Sequence, residues 1–296
     1  MHKEIDFENA IEQDLLTLGG YTKGLTAADY DLERALFPQD ILGFVQATQE
    51  NFWKRMVALN KDKAGEVLLD SLVKELDSKG MLAVLREGFK CFGKTVRLAY
   101  FAPNTRMDPK AATRYAANRL SLIRQVKTKS GAILDGVIAV NGLPVATLEL
   151  KNPLSATKWN VWNAIHQYRF ERDPNEKLFV FKRRCLVHFA VDTELVYMTT
   201  QLEGKDTYFL PFNLGHQQGA GNPPVEGDGR TRYLWRDVLA RDSLLDILAR
   251  FVHLELKEKT IATDKGPKRI RTERMIFPRY HQLDACLLYT SDAADE

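Results

Sequence analysis

The sequence has few cysteines, no long apolar run and no large excess of either charge. The three cysteines, Cys91, Cys185 and Cys286, form no Cys-x-x-Cys pair and have no histidine at zinc-finger spacing. This argues against a structural zinc and a disulfide framework, and favours a reducing compartment. No stretch reaches the roughly 18 apolar residues of a membrane span, and the acidic first residues are unlike a signal peptide. We therefore expect a cytoplasmic protein with no membrane contact.

The charge balance is only weakly basic, so nucleic-acid contacts would have to come from local patches. Lysine and arginine number 42 against 39 aspartates and glutamates, and the net charge is +3. The densest basic stretches are Lys182, Arg183 and Arg184, and a second one made up of Lys265, Lys268, Arg269, Arg271 and Arg274. We predict that they contact DNA phosphates and displace condensed counterions. The alternative for both is an ordinary solvated run of charge.

The order of the expected elements is typical of an α/β protein. Residues 1–115 have a mostly helical pattern, and short apolar runs typical of strands occur from 116 to 256. Helices and strands follow one another there, which favours an α/β domain. Apart from one hairpin, the expected segments are a helix from Trp159 to Arg172, strands at 178–181, 186–191 and 195–200, a loop at 211–230, a helix at 235–256 and a basic linker or arm at 257–274.

The hairpin is the clearest local prediction. Two apolar runs, 133–140 and 143–150, flank the pair Asn141-Gly142. Both residues of this pair tolerate the positive φ values of a tight turn, so the pattern is a strong signal for two antiparallel strands. The second strand ends in the string LELK, which places charged side chains at the end of an apolar segment. Burying them would be costly unless they had water, a partner or a metal.

The register of this hairpin decides which charged side chains share a face. A regular two-residue turn would set Asp135 opposite Leu148, whereas one bulge or a three-residue loop would set it opposite Glu149. Pro144 cannot donate a hydrogen bond to the ladder, which favours such an irregularity. We therefore predict the register that brings Asp135 and Glu149 together.

Two carboxylates beside a lysine suit phosphodiester hydrolysis. Glu149 and Lys151 lie two residues apart and so share one face of a strand, which Asp135 joins in the predicted register. Carboxylates bind a hard cation such as Mg²⁺, which polarises a phosphate and acidifies a bound water. The lysine can orient that water or offset charge on the phosphorus. The alternative for this short motif is an exposed ion pair on a strand.

At this point the chain resembles a known family. The stretch LDGVIAVNGLPVATLELKNP, residues 134–153, is similar to the nuclease hairpin of type I restriction enzyme R subunits. Further likeness begins at FENAIEQDLLTLGGY, includes YLWRDVL, and extends over residues 5 to 285. The resemblance implies a nuclease domain at 1–256 with a PD-(D/E)xK core, whose central mixed sheet is flanked by helices, followed by a superfamily 2 translocase. It also implies Mg²⁺-dependent cleavage of double-stranded DNA, with methyltransferase and specificity subunits as partners.

The resemblance assigns roles within the hairpin. Asp135 corresponds to the first acid of the family motif, Glu149 to the second acid and Lys151 to its lysine. The backbone carbonyl of Leu150 would be an additional metal ligand.

Accessory residues are implied less directly. Many relatives carry a Gln-x-x-x-Tyr signature on the helix after the nuclease lysine. Tyr168 matches its tyrosine, but Ala164 stands where the glutamine is expected, and Gln167 or Asn163 could replace it. The alternative for Tyr168 is a packed helix aromatic. Glu8, on the first helix, could be a supporting acid, with an ordinary solvated glutamate as its alternative.

The end of the chain resembles the start of a motor. The string IFPRYHQLDA at 276–285 is similar to the Q-motif region of these translocases. Gln282 would then contact the adenine of ATP, helped by Arg279 or Tyr280. No Gly-x-x-x-x-Gly-Lys-Ser/Thr string follows, and residues 286–296 leave the family pattern as a probable non-native tail. We expect a fragment, with 275–285 as the beginning of the motor, that does not hydrolyse ATP alone.

Two other functions compete with this interpretation. The chain could be a DNA-binding or assembly module that keeps the fold without the chemistry, but all three positions of the motif are filled. It could also be a free-standing nuclease without a motor, but the segment 275–285 argues against that.

Overall fold

The computed structural model describes residues 4–103, 108–154, 157–263 and 266–285. Its helices are α1 (Glu4–Thr17), α2 (Pro38–Thr48), α3 (Glu50–Asn60), α4 (Ala64–Lys79), α5 (Met81–Glu87), α6 (Pro109–Ala116), α7 (Val161–Phe170) and α8 (Arg241–Asp246). Short 3₁₀ turns lie at Ala27–Asp29 and Lys61–Lys63, and π-helical turns at Leu234–Val238 and Ile247–Phe251. The strands are β1 (Phe89–Cys91), β2 (Lys94–Val96), β3 (Leu120–Lys127), β4 (Ile133–Val140), β5 (Leu143–Leu150), β6 (Val187–Val191), β7 (Val196–Thr199), β8 (Leu210–Pro211), β9 (His253–Thr263) and β10 (Gly266–Ile276).

A six-stranded mixed sheet forms the centre of the molecule. Its strand order is β3-β4-β5-β6-β7-β8, and all neighbours are antiparallel except β5 and β6, which are parallel. A parallel pair needs a long crossover connection, and α7 lies within it. The chain is therefore an α/β protein with a mixed central sheet and flanking helices, as predicted.

The sheet separates two apolar cores because its side chains alternate between faces. On one face, Val137 and Ala139 pack with Ile165 and Tyr168 of α7. On the other face, Ile138 and Val140 join a larger core with the helices of the N-terminal half. The same core contains Trp235 and Phe277, so residues from both halves of the chain share it. None of the described helices is long and apolar enough to cross a membrane.

The predicted bulge is present in the β4–β5 hairpin. Asn141 and Gly142 both have positive φ, at 51° and 84°, as a tight two-residue turn requires. Val140 pairs with Leu143, and the register then shifts so that Gly136 pairs with Leu148. One step further along, Asp135 lies opposite Glu149. The register predicted from Pro144 is therefore confirmed.

Three predictions for local structure need correction. The helix expected at 235–256 breaks into α8 and two π-helical turns and ends at Phe251, and strand β9 begins at His253. The linker expected at 257–274 lies in the antiparallel hairpin β9–β10. This hairpin is exposed on both faces at Lys257, Glu258 and 271–274, so it lacks the apolar alternation that identifies a half-buried strand.

The strand expected at 178–181 is a series of turns. Leu178 and Phe179 are buried, but against the core beneath α7 rather than as part of the sheet. A short apolar run does not by itself distinguish a strand from another buried segment. The strands expected at 186–191 and 195–200 are confirmed as β6 and β7, and the helix expected from Trp159 to Arg172 as α7.

Candidate active site

Asp135, Glu149 and Lys151 converge at one end of the β4–β5 hairpin. Oδ2 of Asp135 accepts a hydrogen bond from the backbone N–H of Leu150 at 2.7 Å and lies 3.4 Å from Nζ of Lys151. Nζ of Lys151 also donates to the carbonyl of Leu150 at 2.9 Å. The bulge is what makes this possible, because without it Asp135 would face Leu148. The three predicted side chains thus occupy one site, while their catalytic role stays a prediction.

Glu149 is fully buried, and its two carboxylate oxygens differ. Oε1 accepts a hydrogen bond from Nε of Arg172 at 2.7 Å, and Nη2 of Arg172 forms an ion-pair contact with the same oxygen, also at 2.7 Å. Oε2 is buried and has no hydrogen-bond partner. Burial, reinforced by the charge of Asp135, raises the pKa of Glu149 well above its usual value, although Arg172 and Lys151 act against it. The carboxyl group therefore has one satisfied oxygen and one that lacks a partner.

Lys151 is a buried ammonium surrounded by acids. Burial alone would lower its pKa, but the carboxylates of Asp135, Glu4 and Glu149 raise the pKa of Lys151 above its usual value. Glu4, on α1, accepts a hydrogen bond from Nζ at 2.8 Å. The ring of Trp159 lies 5.9 Å from Nζ, at cation–π distance. Lys151 is thus held charged and directed at the carboxylates of the site.

The donor set fits a hard divalent cation. The unpartnered Oε2 of Glu149 needs a positive partner, and a cation there would favour the ionised form that burial disfavours. Asp135 supplies a second carboxylate on the same face. Among the described residues, no group of three or more His, Cys, Asp or Glu side chains could hold a metal. The site therefore offers two carboxylates, and the predicted ligand role of the Leu150 carbonyl, which accepts a hydrogen bond from Lys151, stays a prediction.

Sequence reasoning missed Arg172 and Glu4. Arg172 lies just beyond α7, and nothing in its local sequence distinguishes it from other arginines. Glu4 precedes the first apolar residues of α1, where an acid is ordinary at a helix N-terminus. Both reach the site only through the tertiary fold.

Glu8 is buried, but its partners lie on β3. Its carboxylate accepts hydrogen bonds from Arg124 at 2.7 Å and from Gln125 at 3.2 Å. Gln125 has a positive φ of 54° within β3, which is unusual for a residue other than glycine. Glu8 therefore anchors α1 to the sheet. It is not the solvated glutamate that the sequence left open as an alternative. Its supporting role in catalysis stays a prediction.

Tyr168 is fully buried on α7. Its hydroxyl lies 2.7 Å from Oγ1 of Thr147 and donates to the carbonyl of Phe189 at 3.3 Å. Burial, followed by the charge of Glu149, raises the pKa of Tyr168 well above its usual value. These surroundings are those of a packed aromatic. The side-chain oxygen of Gln167 is buried without a hydrogen-bond partner, and an accessory role for either residue stays a prediction.

The residues predicted to bind nucleotide form a local cap. Oε1 of Gln282 accepts a hydrogen bond from the backbone N–H of Arg279 at 2.9 Å. The ring of Tyr280 packs edge-on against Phe212 and Tyr233. Their predicted contact with ATP stays untested, and the tail 286–296 lies outside the described residues.

One of the predicted DNA contacts must be corrected. Arg184 is fully buried; its guanidinium donates to Asp77 at 3.1 Å and to the carbonyl of Arg34 at 2.9 Å, so it cannot reach a phosphate. Lys182 pairs with Glu273 on β10, and Arg183 is partly exposed.

The basic stretch on the β9–β10 hairpin is partly described. Arg269, Arg271 and Arg274 are exposed. Arg271 pairs with Glu258 across the two strands at 2.6 Å. Lys265 and the side chain of Lys268 lie outside the part of the chain that the structure describes. The hairpin therefore carries three exposed arginines, of which Arg271 is paired with Glu258.

Comparison with known families identifies the domain. The family model described as "Type I restriction enzyme R protein N terminus" matches residues 38–207, more than half of the chain, and this range contains β4, β5 and α7. The chain belongs to this family. It is thus the N-terminal region of a type I restriction enzyme R subunit, as the resemblance along the chain implied.

A curated relative agrees with this assignment. The chain is similar to the type I restriction enzyme HindI endonuclease subunit of Haemophilus influenzae, with 22% identity over 182 residues. The match covers 60% of this chain and only 16% of that relative. No solved structure matches the chain.

Proposed function

We propose that this N-terminal region of an R subunit is a PD-(D/E)xK endonuclease domain that hydrolyses DNA phosphodiester bonds with Mg²⁺. The observation that carries the proposal is the bulged register of β4 and β5, which pairs Gly136 with Leu148 and so brings Asp135 to the face of the hairpin that carries Glu149. Lys151 contacts Asp135 from the same face. A hairpin that served only to pack the core would not place two acids and a lysine together, because burial makes their charges costly.

The surroundings of Asp135, Glu149 and Lys151 suggest a different role for each residue. Asp135 and Glu149 would hold the cation, which when bound polarises the phosphate and acidifies water. Asp135 is fixed by the N–H of Leu150, so its carboxylate is oriented before substrate arrives. Lys151 carries a stable positive charge and can stabilise the charge that develops on the phosphate oxygens.

The wider assembly follows from the family. In the full protein we propose that cleavage of double-stranded DNA is coupled to an ATP-driven motor that begins near residue 275, and that methyltransferase and specificity subunits are partners. The exposed arginines of the β9–β10 hairpin are proposed to contact DNA phosphates. A Gly-x-x-x-x-Gly-Lys-Ser/Thr loop encoded after residue 285 in the natural gene would support the motor, and its lack would contradict it.

Cleavage by the full-length R subunit, assembled with its partners, tests the chemistry. Glu149→Ala and Lys151→Ala should each reduce cleavage by about 100-fold or more, as is typical when a group acting on the transition state is removed. ATP hydrolysis should be unchanged, because the motor lies elsewhere. The exposed Glu226→Ala and Lys54→Ala serve as matched controls and should cut like the unmodified enzyme. Undiminished cleavage in either site variant would refute the proposed centre.

A further inference from the structure

Arg172 is a buried cation with partners on both strands of the hairpin. Its side chain is 3% exposed. Nε donates to Oε1 of Glu149 on β5, and Nη2, which lies 2.7 Å from the same oxygen, donates to the carbonyl of Ile133 on β4 at 2.9 Å. Arginine is rarely buried unless it is paired. This one ties the end of the α7 crossover to the strands that carry Asp135 and Glu149.

The contacts of Arg172 act on only one oxygen of Glu149. The hydrogen bond from Nε and the charge of the neighbouring Nη2 both hold Oε1 against the guanidinium, so rotation of the carboxylate is restrained. Oε2 is left without a partner. The carboxylate is therefore presented with a fixed orientation and a single available oxygen.

The balance of charges around the site also supports a role for Arg172 in holding Glu149. Glu4, Asp135 and Glu149 face Lys151 and Arg172, and the half-exposed Glu171 lies 3.8 Å from Nη1 of Arg172, so acids outnumber bases around the site. Without Arg172, three acids would face one base in a buried setting. With it, the site keeps a small excess of negative charge, as a site for one divalent cation needs.

We propose that Arg172 is a positioning residue that restrains Glu149, so that Oε2 alone is offered to the divalent cation shared with Asp135. This inference rests on the proposed function. A structural role would require only a salt bridge, and replacement of a buried ion pair by apolar groups is often neutral for stability. A role in positioning requires more: a folded variant without Arg172 must bind the metal more weakly than its loss of stability alone would explain.

Metal binding to the 296-residue chain tests this directly, with Mn²⁺ as the probe and calorimetry or spin resonance as the measurement. Arg172→Gln should weaken Mn²⁺ binding by about 10-fold to 100-fold, the usual effect of losing a group that orients a metal ligand. Arg184→Gln is the matched control, because Arg184 is also a buried arginine paired with a carboxylate, on Asp77. It should lower the melting temperature but leave Mn²⁺ affinity unchanged.

A second variant separates geometry from charge. Arg172→Lys keeps the positive charge, but one ammonium cannot reproduce the planar guanidinium that binds both Glu149 and the carbonyl of Ile133, so we expect Mn²⁺ affinity between those of the unmodified chain and Arg172→Gln. If the glutamine variant does not fold, the lysine variant decides the matter. In the assembled enzyme, the same variants should raise the Mg²⁺ concentration needed for half-maximal cleavage more than they lower the rate at saturating Mg²⁺.

The outcomes distinguish the two proposals. Mn²⁺ affinity that is unchanged in folded Arg172→Gln but lost in Glu149→Gln would overturn the role of Arg172 and leave the nuclease centre standing. Equal affinity in the unmodified chain and in Glu149→Gln would overturn the centre itself, and the role of Arg172 with it. Weakened binding in Arg172→Gln together with unchanged binding in Arg184→Gln supports both.

Discussion

At the scale of single residues, His188 is the clearest buried titratable group outside the candidate site. It lies on β6, where Nδ1 is 2.8 Å from Oγ1 of Thr147, and its ring packs near those of Tyr168 and Phe179. Burial lowers the pKa of His188 to about 3. The native protein thus keeps a neutral imidazole at a pH where an unfolded chain would already bind a proton.

This makes stability sensitive to mild acid. Between the unfolded pKa of about 6.5 and the folded value, only the unfolded state is protonated, so stability should fall as the pH falls, by up to about 1.4 kcal/mol per pH unit. His188→Gln should flatten this slope between pH 6.5 and 5 in urea unfolding. The exposed His166→Gln is the control and should retain the slope of the unmodified chain. Identical slopes for all three proteins would exclude His188 as the cause.

Sequence reasoning found residues whose role is visible locally. Asp135, Glu149 and Lys151 could be located because they belong to one hairpin with a recognisable turn. Arg172 and Glu4 could not, because they meet Glu149 and Lys151 only after the crossover and α1 have packed. Arg184 was misjudged for a related reason, since its charge suggested solvent and only the fold shows that it is buried.

At the scale of elements, the turn of the β4–β5 hairpin also anchors α2. The N–H of Phe37, at the start of α2, donates to the carbonyl of Gly142 at 3.0 Å. A Cβ added to Gly142 would lie 2.6 Å from the carbonyl oxygen of Phe37 and 2.9 Å from the backbone nitrogen of Ile41. Gly142 is therefore required both for its positive φ and for the close approach of another backbone.

Replacing Gly142 should lower the free energy of unfolding much more than replacing a glycine that is needed only for its positive φ. Gly131 also has a positive φ, of 93°, but a Cβ there would meet nothing within 4 Å. We expect Gly131→Ala to cost about 1 to 2 kcal/mol from its left-handed backbone, and Gly142→Ala to cost about 1 to 3 kcal/mol more from overpacking. Urea denaturation measures both, and equal losses would show that the contact with α2 is unimportant.

Element predictions succeeded where apolar runs are bounded by a clear turn signal, and failed where composition or a short apolar run was the only guide. The apolar runs of β4 and β5, which are buried on both faces, and the Asn141-Gly142 turn identified the hairpin, and Pro144 indicated its bulge. The β9–β10 hairpin has polar residues on both faces, so its composition suggested a linker. The turns at 178–181 are buried like a strand, and the sequence pattern alone does not separate the two.

At the scale of the whole molecule, the helical half and the sheet are one packed unit. Asp14 of α1 accepts hydrogen bonds from Trp235 and Arg236, at 2.8 and 2.7 Å, and Phe7 packs edge-on against Trp235. The predicted division near residue 115 separates two kinds of secondary structure, but it does not separate two cores. Periodicity along a chain cannot reveal this, because it reports which face of an element is apolar and not what covers that face.

The exposed β9–β10 hairpin carries basic side chains whose contribution to DNA binding can be measured. Replacing Arg269, Arg271 and Arg274 by Gln should weaken DNA binding and reduce the slope of log affinity against log salt by up to about 3, since each phosphate contact contributes about 0.9. The control replaces the exposed Lys54, Arg55 and Lys63 of the helical half. An unchanged slope in the hairpin variant, or an equal change in the control, would contradict a specific role.

The single parallel pairing of the sheet affects the order in which the parts of the site form during folding. β4 and β5 are joined by two residues, and hairpins of this kind form within about 1 to 10 microseconds. β5 and β6 are joined through α7, and such distant pairing is slower because a longer loop must close first. Asp135, Glu149 and Lys151 therefore come together early, and Arg172 reaches Glu149 only as the crossover closes. Of the two pairings that involve β5, we expect the slower one to bring Arg172 to the site.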